Sequence, residues 1–266
     1  MNSKQQMPSM GVLKFEENGR TFHLHRYSPS ADIGTFVKHY WVVSWDLTGH
    51  PPYPQEVIPN PCVNMVIEPG RSGIFGPSKQ KFTYMLQGKG CVFGVKFKPG
   101  GFYPFVKQPI SRLNKQIMNI HSVFGIDAGA AEALILSQRA EEDMVRQMEA
   151  ILQPKLPKID PQVEVIVRIT ERIMEDREII KVDTVCKLFD MNKRTLQRLF
   201  DQYVGVNPKW VIQLYRLQNA AELIGKGRFE DGLELSMELG YYDQSHFIKD
   251  FKAITGKTPE EYASSL

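Results

Sequence analysis

The last third of the chain repeats one short segment of itself. Residues 192–208 read NKRTLQRLFDQYVGVNP and residues 243–259 read DQSHFIKDFKAITGKTP, an offset of 51 positions. At that offset Phe200 meets Phe251, Gly205 meets Gly256 and Pro208 meets Pro259 unchanged, while Asn192/Asp243, Leu196/Phe247, Arg198/Lys249 and Asn207/Thr258 are like for like. In each copy a capping residue followed by proline opens a new helix. A duplicated helical unit with a basic residue at one matched surface position suits a periodic partner touched twice, and duplex DNA is such a partner.

In the first copy Leu196, Leu199, Phe200 and Tyr203 follow the i, i+3, i+4, i+7 rule of a buried helical stripe. Arg194, Gln197, Arg198 and Asp201 are left facing outward. Upstream, 182–189 reads as a short helix separated from Lys193 by Asp190-Met191-Asn192, which makes a helix-turn-helix. In that motif the first turns of the second helix enter the major groove. Arginine suits a bidentate grip on guanine O6 and N7, and glutamine suits adenine N6 and N7. The second copy puts Gln244, Ser245, Ile248 and Lys249 on the matching surface, with Phe247 and Phe251 buried. A helix of about 17 residues from Pro208, roughly 26 Å at about 1.5 Å per residue, would join the two units. Successive major-groove faces lie about 34 Å apart.

Charge does not announce a nucleic-acid partner. The net charge is +3, yet residues 158–266 carry 16 Lys/Arg against 18 Asp/Glu, a net of −2, so the case rests on local placement. No apolar run reaches the roughly 18–20 residues that span a bilayer, and MNSKQQMPSM lacks the apolar core of a signal peptide. Cys62, Cys91 and Cys186 are scattered and never form a CxxC pair, which points to a reducing cytosol and away from a disulfide framework or structural zinc. The expectation is a cytoplasmic protein with no membrane partner.

Residues 12–98 alternate short β-rich runs (RTFHLHRY, HYWVVSW, CVNMVI, KFTYML, CVFGVKF) with Gly, Pro and Asn punctuation. Along the last run Cys91, Phe93, Val95 and Phe97 share one face, and Gly94 and Lys96 the other. Many short strands at this spacing predict a sandwich or small barrel. Helices are predicted at 127–136 and 141–152, with a capacity to dimerise. The prolines of QPKLPKIDP place a boundary at about residue 157, followed by helices at 161–175, 182–189, 208–225, 233–239 and 243–255. Thr258-Pro259-Glu260-Glu261 reads as a capping box. The fold class is α+β multidomain: a β-barrel or sandwich-like sensor with trailing helices at 1–157, then an all-α double helix-turn-helix unit at 158–266.

Catalytic and metal chemistry find little support. His23 and His25 form the HxH of a cupin-type metal strand, but no Glu or later strand His completes it, and both read as strand residues. Cys62 has neither a His nor a cysteine cluster beside it in sequence and reads as a buried thiol. Gly100-Gly101 lacks the Lys-Ser/Thr of a phosphate loop, and no spacing suggests Ser-His-Asp catalysis. Neither a metal nor a cofactor is expected. The aromatics Tyr40, Trp41, Trp45, Phe93, Phe97, Phe102, Tyr103 and Phe105 suffice for a core, and some could instead line a ligand cavity.

RTLQRLF with GVNP, and LGYYDQSHFIKDFKAITGKTPEEY from Leu239 to Tyr262, resemble the AraC/XylS family of bacterial transcription regulators over roughly residues 163–262. The resemblance implies two helix-turn-helix units in one chain. Base-reading positions would then fall on Arg194, Gln197 and Arg198 in the first unit, and on Gln244, Ser245 and Lys249 in the second. Cys186 and Ser236 occupy slots usually filled by alanine, and Asp190-Met191-Asn192 replaces a glycine-containing turn. HYWVVSWDL, EVIPNPCVNMVIE and VFGVKFKPGGFYPF resemble the β-rich sensors placed ahead of such readers, without specifying an effector. What the resemblance implies is an activator acting on double-stranded promoter DNA. RNA polymerase, a second copy of the chain and a small-molecule effector are candidate further partners. The rival readings are a cupin-like metal enzyme fused to a reader, and a ligand-independent architectural DNA binder.

Overall fold

The structure, a computed structural model, describes residues 12–13, 21–227 and 232–265. Strands β1 (Val12–Leu13), β2 (Thr21–Tyr27), β3 (Val37–Leu47), β4 (Tyr53–Val57), β5 (Asn64–Ile67), β6 (Gly73–Phe75), β7 (Phe82–Leu86) and β8 (Gly88–Phe97) form two antiparallel sheets, ordered β2-β3-β8-β5-β6 and β1-β4-β7. Period-two alternation gives the larger sheet two apolar faces. Tyr27, Tyr40, Val42, Met65, Ile67, Phe93, Val95 and Phe97 point one way, into the main core. Phe22, Trp45 and Val92 point the other way, against Leu86 of the smaller sheet with Tyr53 and Tyr84 beside it. The expected sandwich is present, and the face division along β8 is the one its sequence predicts.

Helices α1 (Tyr103–Val106), α2 (His121–Phe124), α3 (Ala128–Leu136) and α4 (Glu141–Leu152) cover the outer face of the larger sheet. Met144, Val145, Met148 and Leu152 of α4 are buried in the sheet core. Glu149 Oε1 accepts the Ser30 N–H at 2.7 Å and Glu141 Oε2 accepts the Tyr27 hydroxyl at 2.6 Å.

The C-terminal part is helical: α5 (Pro161–Glu175), α6 (Val182–Leu188), α7 (Lys193–Leu199), α8 (Pro208–Gly225), α9 (Gly232–Glu238), α10 (Gln244–Thr255) and α11 (Pro259–Ala263). The shared letters of the two repeats have a local cause. Gly205 (φ 85°) and Gly256 (φ 81°) take the left-handed conformation that ends each helix. An L side chain adopts that conformation only at a cost. Asn207 Oδ1 then accepts the Trp210 N–H at 2.7 Å, and Thr258 Oγ1 accepts the Glu261 N–H at 3.1 Å while Glu261 Oε2 takes the Thr258 N–H at 2.7 Å. Proline follows each cap as the first helical residue. The copies differ in one respect. The first widens into a π-helical turn over Phe200–Val204, whereas α10 stays α-helical to Thr255.

The β-rich part docks on both repeats. Tyr103 packs on Tyr203 with ring centroids 4.2 Å apart and its hydroxyl accepts the Gln202 amide at 2.6 Å. Asn114 Nδ2 donates to the Gly205 carbonyl at 2.5 Å. A Cβ at Gly205 would meet the backbone of Ile110 at 3.0 Å, and one at Gly256 would run into the Lys81 side chain. Ile58 enters the core formed by Leu214, Leu217 and Phe247.

Both glycines should resist substitution, but unequally. Left-handed strain costs about 1–2 kcal/mol at either site, partly offset by a stiffer unfolded chain. Gly205→Ala adds a clash with backbone, which cannot move aside, whereas the lysine tail at Gly256 can swing away. Urea titration should place Gly205→Ala on the order of 2 kcal/mol or more below wild type, and Gly256→Ala about 1 kcal/mol below.

Candidate nucleic-acid interface

The first unit is built from α6 and α7. Leu196, Leu199, Phe200 and Tyr203 are all buried, as the spacing predicts. Arg194, Gln197, Arg198 and Asp201 are exposed, on the side away from that stripe. Asn192 caps α7, its Oδ1 accepting the Thr195 N–H at 2.8 Å. Asp190 carries the turn at φ 48°. Glycine takes that left-handed conformation more cheaply. Lys193 Nζ sits 2.7 Å from Asp183 Oδ1 and ties the two helices, with that hydrogen bond raising its pKa. Arg194 and Arg198 have no carboxylate partner among the described residues. Two guanidiniums are therefore free toward solvent at successive turns of one helix.

The second unit, α9 and α10, repeats this plan on a longer turn. Asp243 caps α10 through the Ser245 N–H at 3.0 Å. Ser245 and Lys249 are exposed and Gln244 is half-buried; Ile248, expected on the outer surface, is half-buried and packs on the core of the unit. That correction follows from its side of the helix, next to Phe247 and Phe251. The Asp250 carboxylate, adjacent to Lys249 in sequence, is turned inward. Its Oδ2 accepts the Tyr241 hydroxyl at 3.2 Å and lies 3.4 Å from His246 Nε2. Lys249 has no ion-pair partner among the described residues.

Tyr242 is a feature that reading for repeats passes over. Backbone bonds from Met191 to Cys186 and from Tyr241 to Ser236, each 2.9 Å, match at an offset of 50, while the caps Asn192 and Asp243 match at 51. The extra residue is Tyr242, fully exposed at the mouth of α10. Comparing the two offsets along the sequence would have found it. The turn is braced from α8: Arg216 donates Nε–H to the Leu239 carbonyl at 3.0 Å and stacks 4.4 Å over the Tyr241 ring. Gly240 provides the left-handed residue there, φ 71°.

The other sequence candidates lie elsewhere. His23 and His25 share a strand face with Tyr27, opposite to the inward face of Phe22, so they do not point into the sandwich. His25 Nδ1 is 2.8 Å from Glu141 Oε2. Among the described residues no group of three or more His, Cys, Asp or Glu side chains could hold a metal. No described helix is long and apolar enough to cross a membrane. Cys62 is buried.

Residues 185–265 match a family described as a helix-turn-helix domain, and residues 25–119 match a domain of unknown function, DUF6597. An uncharacterized HTH-type transcriptional regulator of Haemophilus influenzae is 29% identical over 85 residues, 32% of this chain and 28% of that protein. The F1 operon positive regulatory protein of Yersinia pestis is 32% identical over 97 residues, 36% of this chain and 32% of that protein. The similarity thus spans about a third of the length of these curated relatives. Among solved structures, ToxT from Vibrio cholerae is 13% identical with a TM-score of 0.39, covering 94% of this chain and 99% of that one. The C-terminal domain of AraT from Geobacillus stearothermophilus is 22% identical with a TM-score of 0.35, covering 41% and 88%.

Removing one cap should loosen one unit alone. Asn192→Ala is expected to cost about 1 kcal/mol. Amide exchange should rise across Lys193–Leu199, with Gln244–Thr255 unchanged; equal loosening of both helices would mean the units are not separately capped.

Proposed function

We propose that this chain, whose C-terminal third carries an AraC-type helix-turn-helix domain, is a sequence-specific DNA-binding transcription regulator. Residues 158–266 are the reader and residues 1–157 the regulatory sensor. The observation behind this reading is the pairing of two capped helices, each with unpaired cations facing solvent, on one 18-residue helix. A reader of net negative charge gains little from its overall field, so affinity has to come from these local cations against phosphates and base edges.

In this reading Arg194, Gln197 and Arg198 meet base edges in one major-groove segment, and Gln244, Ser245 and Lys249 in the next. Tyr242 adds an aromatic contact at the mouth of the second groove. An effector acting on the sensor would regulate binding only through a different affinity for two states of the protein. Activation is the sign we favour, on the likeness to a positive regulatory protein. RNA polymerase and a second copy of the chain are candidate partners, in the cytoplasm.

Selection from randomised duplexes tests the assignment. Arg194→Ala and Arg198→Ala should each relax preference at particular base pairs by about 1–3 kcal/mol, while Tyr242→Ala should weaken binding with no change in thermal stability. Unaltered base preferences in both arginine variants would sink the base-edge assignments. Protection of a single groove segment, indifferent to substitutions in either unit, would sink the twin-reader account.

A further inference from the structure

Four basic side chains converge on the inner face of the larger sheet. Arg26 lies on β2, Lys38 and His39 at the bulge of β3, and Lys96 on β8. Their direction is fixed by their neighbours, since Tyr27, Val37, Tyr40, Val95 and Phe97 all point into the opposite core. The register steps from Val37↔Phe97 to His39↔Lys96, so Lys38 is the extra residue. Such a bulge turns two consecutive basic side chains to one side. His39 and Lys96 sit side by side across the ladder, 5% and 8% exposed.

Among the described residues no carboxylate lies within ion-pair distance of any of the four. His39 Nδ1 is buried and has no hydrogen-bond partner. Burial, followed by the charges of Lys96, Arg26 and Lys38, pushes the His39 imidazole down to about 2. Burial likewise lowers Lys96, with Lys38 and Arg26 adding to it and Cys62 opposing. Buried polar groups in folded proteins are almost always paired, and a buried cation without a partner is costly.

The surroundings suit a ligand with a flat body. Trp41 stands opposite Arg26 in the β2–β3 ladder, half-buried, and its indole lies over Gly94, where a Cβ would collide with it. Glycine at that position leaves room for the ring to lie flat against the sheet beside the cations.

We propose that this end of the sandwich binds the oxyanion of a small effector, a carboxylate or phosphate held by Lys96, His39 and Arg26, with a planar or apolar body against Trp41. Its regulatory purpose rests on the reading as a DNA-binding regulator, whereas its binding chemistry does not. The link to the reader is short. Asn64, the β5 partner of Lys96, donates its amide to the Cys62 carbonyl at 3.3 Å. Further back along the chain, the Pro59 carbonyl accepts the Gln218 amide of α8 at 3.2 Å, and Ile58 enters the core of the second unit. An anion that draws Lys96 and Asn64 toward itself therefore acts on a loop already bonded to the helix that spaces the two units.

The test is thermal unfolding of the full chain in chloride of matched ionic strength, with added inorganic phosphate in one arm and benzoate in the other. At ten times its dissociation constant the bound anion should raise the wild-type midpoint by on the order of 3 °C. A response confined to one arm identifies which oxyanion is used. Lys96→Met should lose the response and, without anion, melt no lower than wild type, because it removes an unpaired buried charge. Arg26→Gln, at a half-buried position, should need at least tenfold more anion. Equal shifts in wild type and both variants, or no shift in either arm, would overturn the site. Footprinting in parallel separates the two ideas: protection of two groove segments with no anion response leaves the regulator reading standing, and an anion response without protection leaves the site standing.

Discussion

The β-rich part grips the corners of both repeats, and this contact sets how the two units sit on α8. Two helix-turn-helix units joined by one helix could each rock about the ends of α8. Here the corner of the first is held by Ile110 and Asn114 at Gly205, and that of the second faces Lys81 at Gly256. The glycine that ends each helix also faces a residue of the N-terminal part, Ile110 at Gly205 and Lys81 at Gly256. A side chain at either position would strain the backbone, and at Gly205 it would also press on the backbone of Ile110.

Helix α8 extends this arrangement inward. Its Gln218 reaches the Pro59 carbonyl of the sheet domain, while Arg216, two residues away, holds the turn of the second unit through the Leu239 carbonyl and the Tyr241 ring. Leu214 and Leu217 fill the core between them. One helix thus spaces the units, anchors the turn that aims α10, and receives the loop that leads to the buried cations. A displacement of that loop would be felt at the second unit before the first, since Ile58 packs there.

The repeat, its caps and its buried stripes were legible because they are local. Asn207-Pro208 and Thr258-Pro259 determine helix starts through bonds within three residues, and Leu196, Leu199, Phe200 and Tyr203 reveal their face by period alone. The proposed interface was legible to the same extent: exposure of Arg194, Gln197 and Arg198 follows from that period. Strand parity put Trp41 and Trp45 on one face but could not say which face was inner, a fact decided by where α4 and the smaller sheet pack. The same limit applied to His23 and His25, whose face is covered by Glu141 of α4. The docking of Ile58, Ile110 and Lys81 joins residues far apart along the chain, and no short-range pattern encodes it.

Part of the acidic balance of residues 158–266 is held in internal bonds. Asp160 caps α5 and accepts the Tyr203 hydroxyl at 2.8 Å, Asp176 pairs with Arg172 at 2.8 Å, Asp183 holds Lys193, and Asp250 is turned toward Tyr241 and His246. These charges are committed to internal bonds. The guanidiniums of Arg194 and Arg198 and the ammonium of Lys249 are not, and a short-range field at each helix is what remains. A screening length of about 8 Å at physiological salt makes this local placement, rather than the sum over the domain, the quantity a phosphate meets. On the proposed function, a weakly charged reader so built would attract DNA poorly at long range and hold it by a few well-placed contacts, which favours selectivity over non-specific affinity.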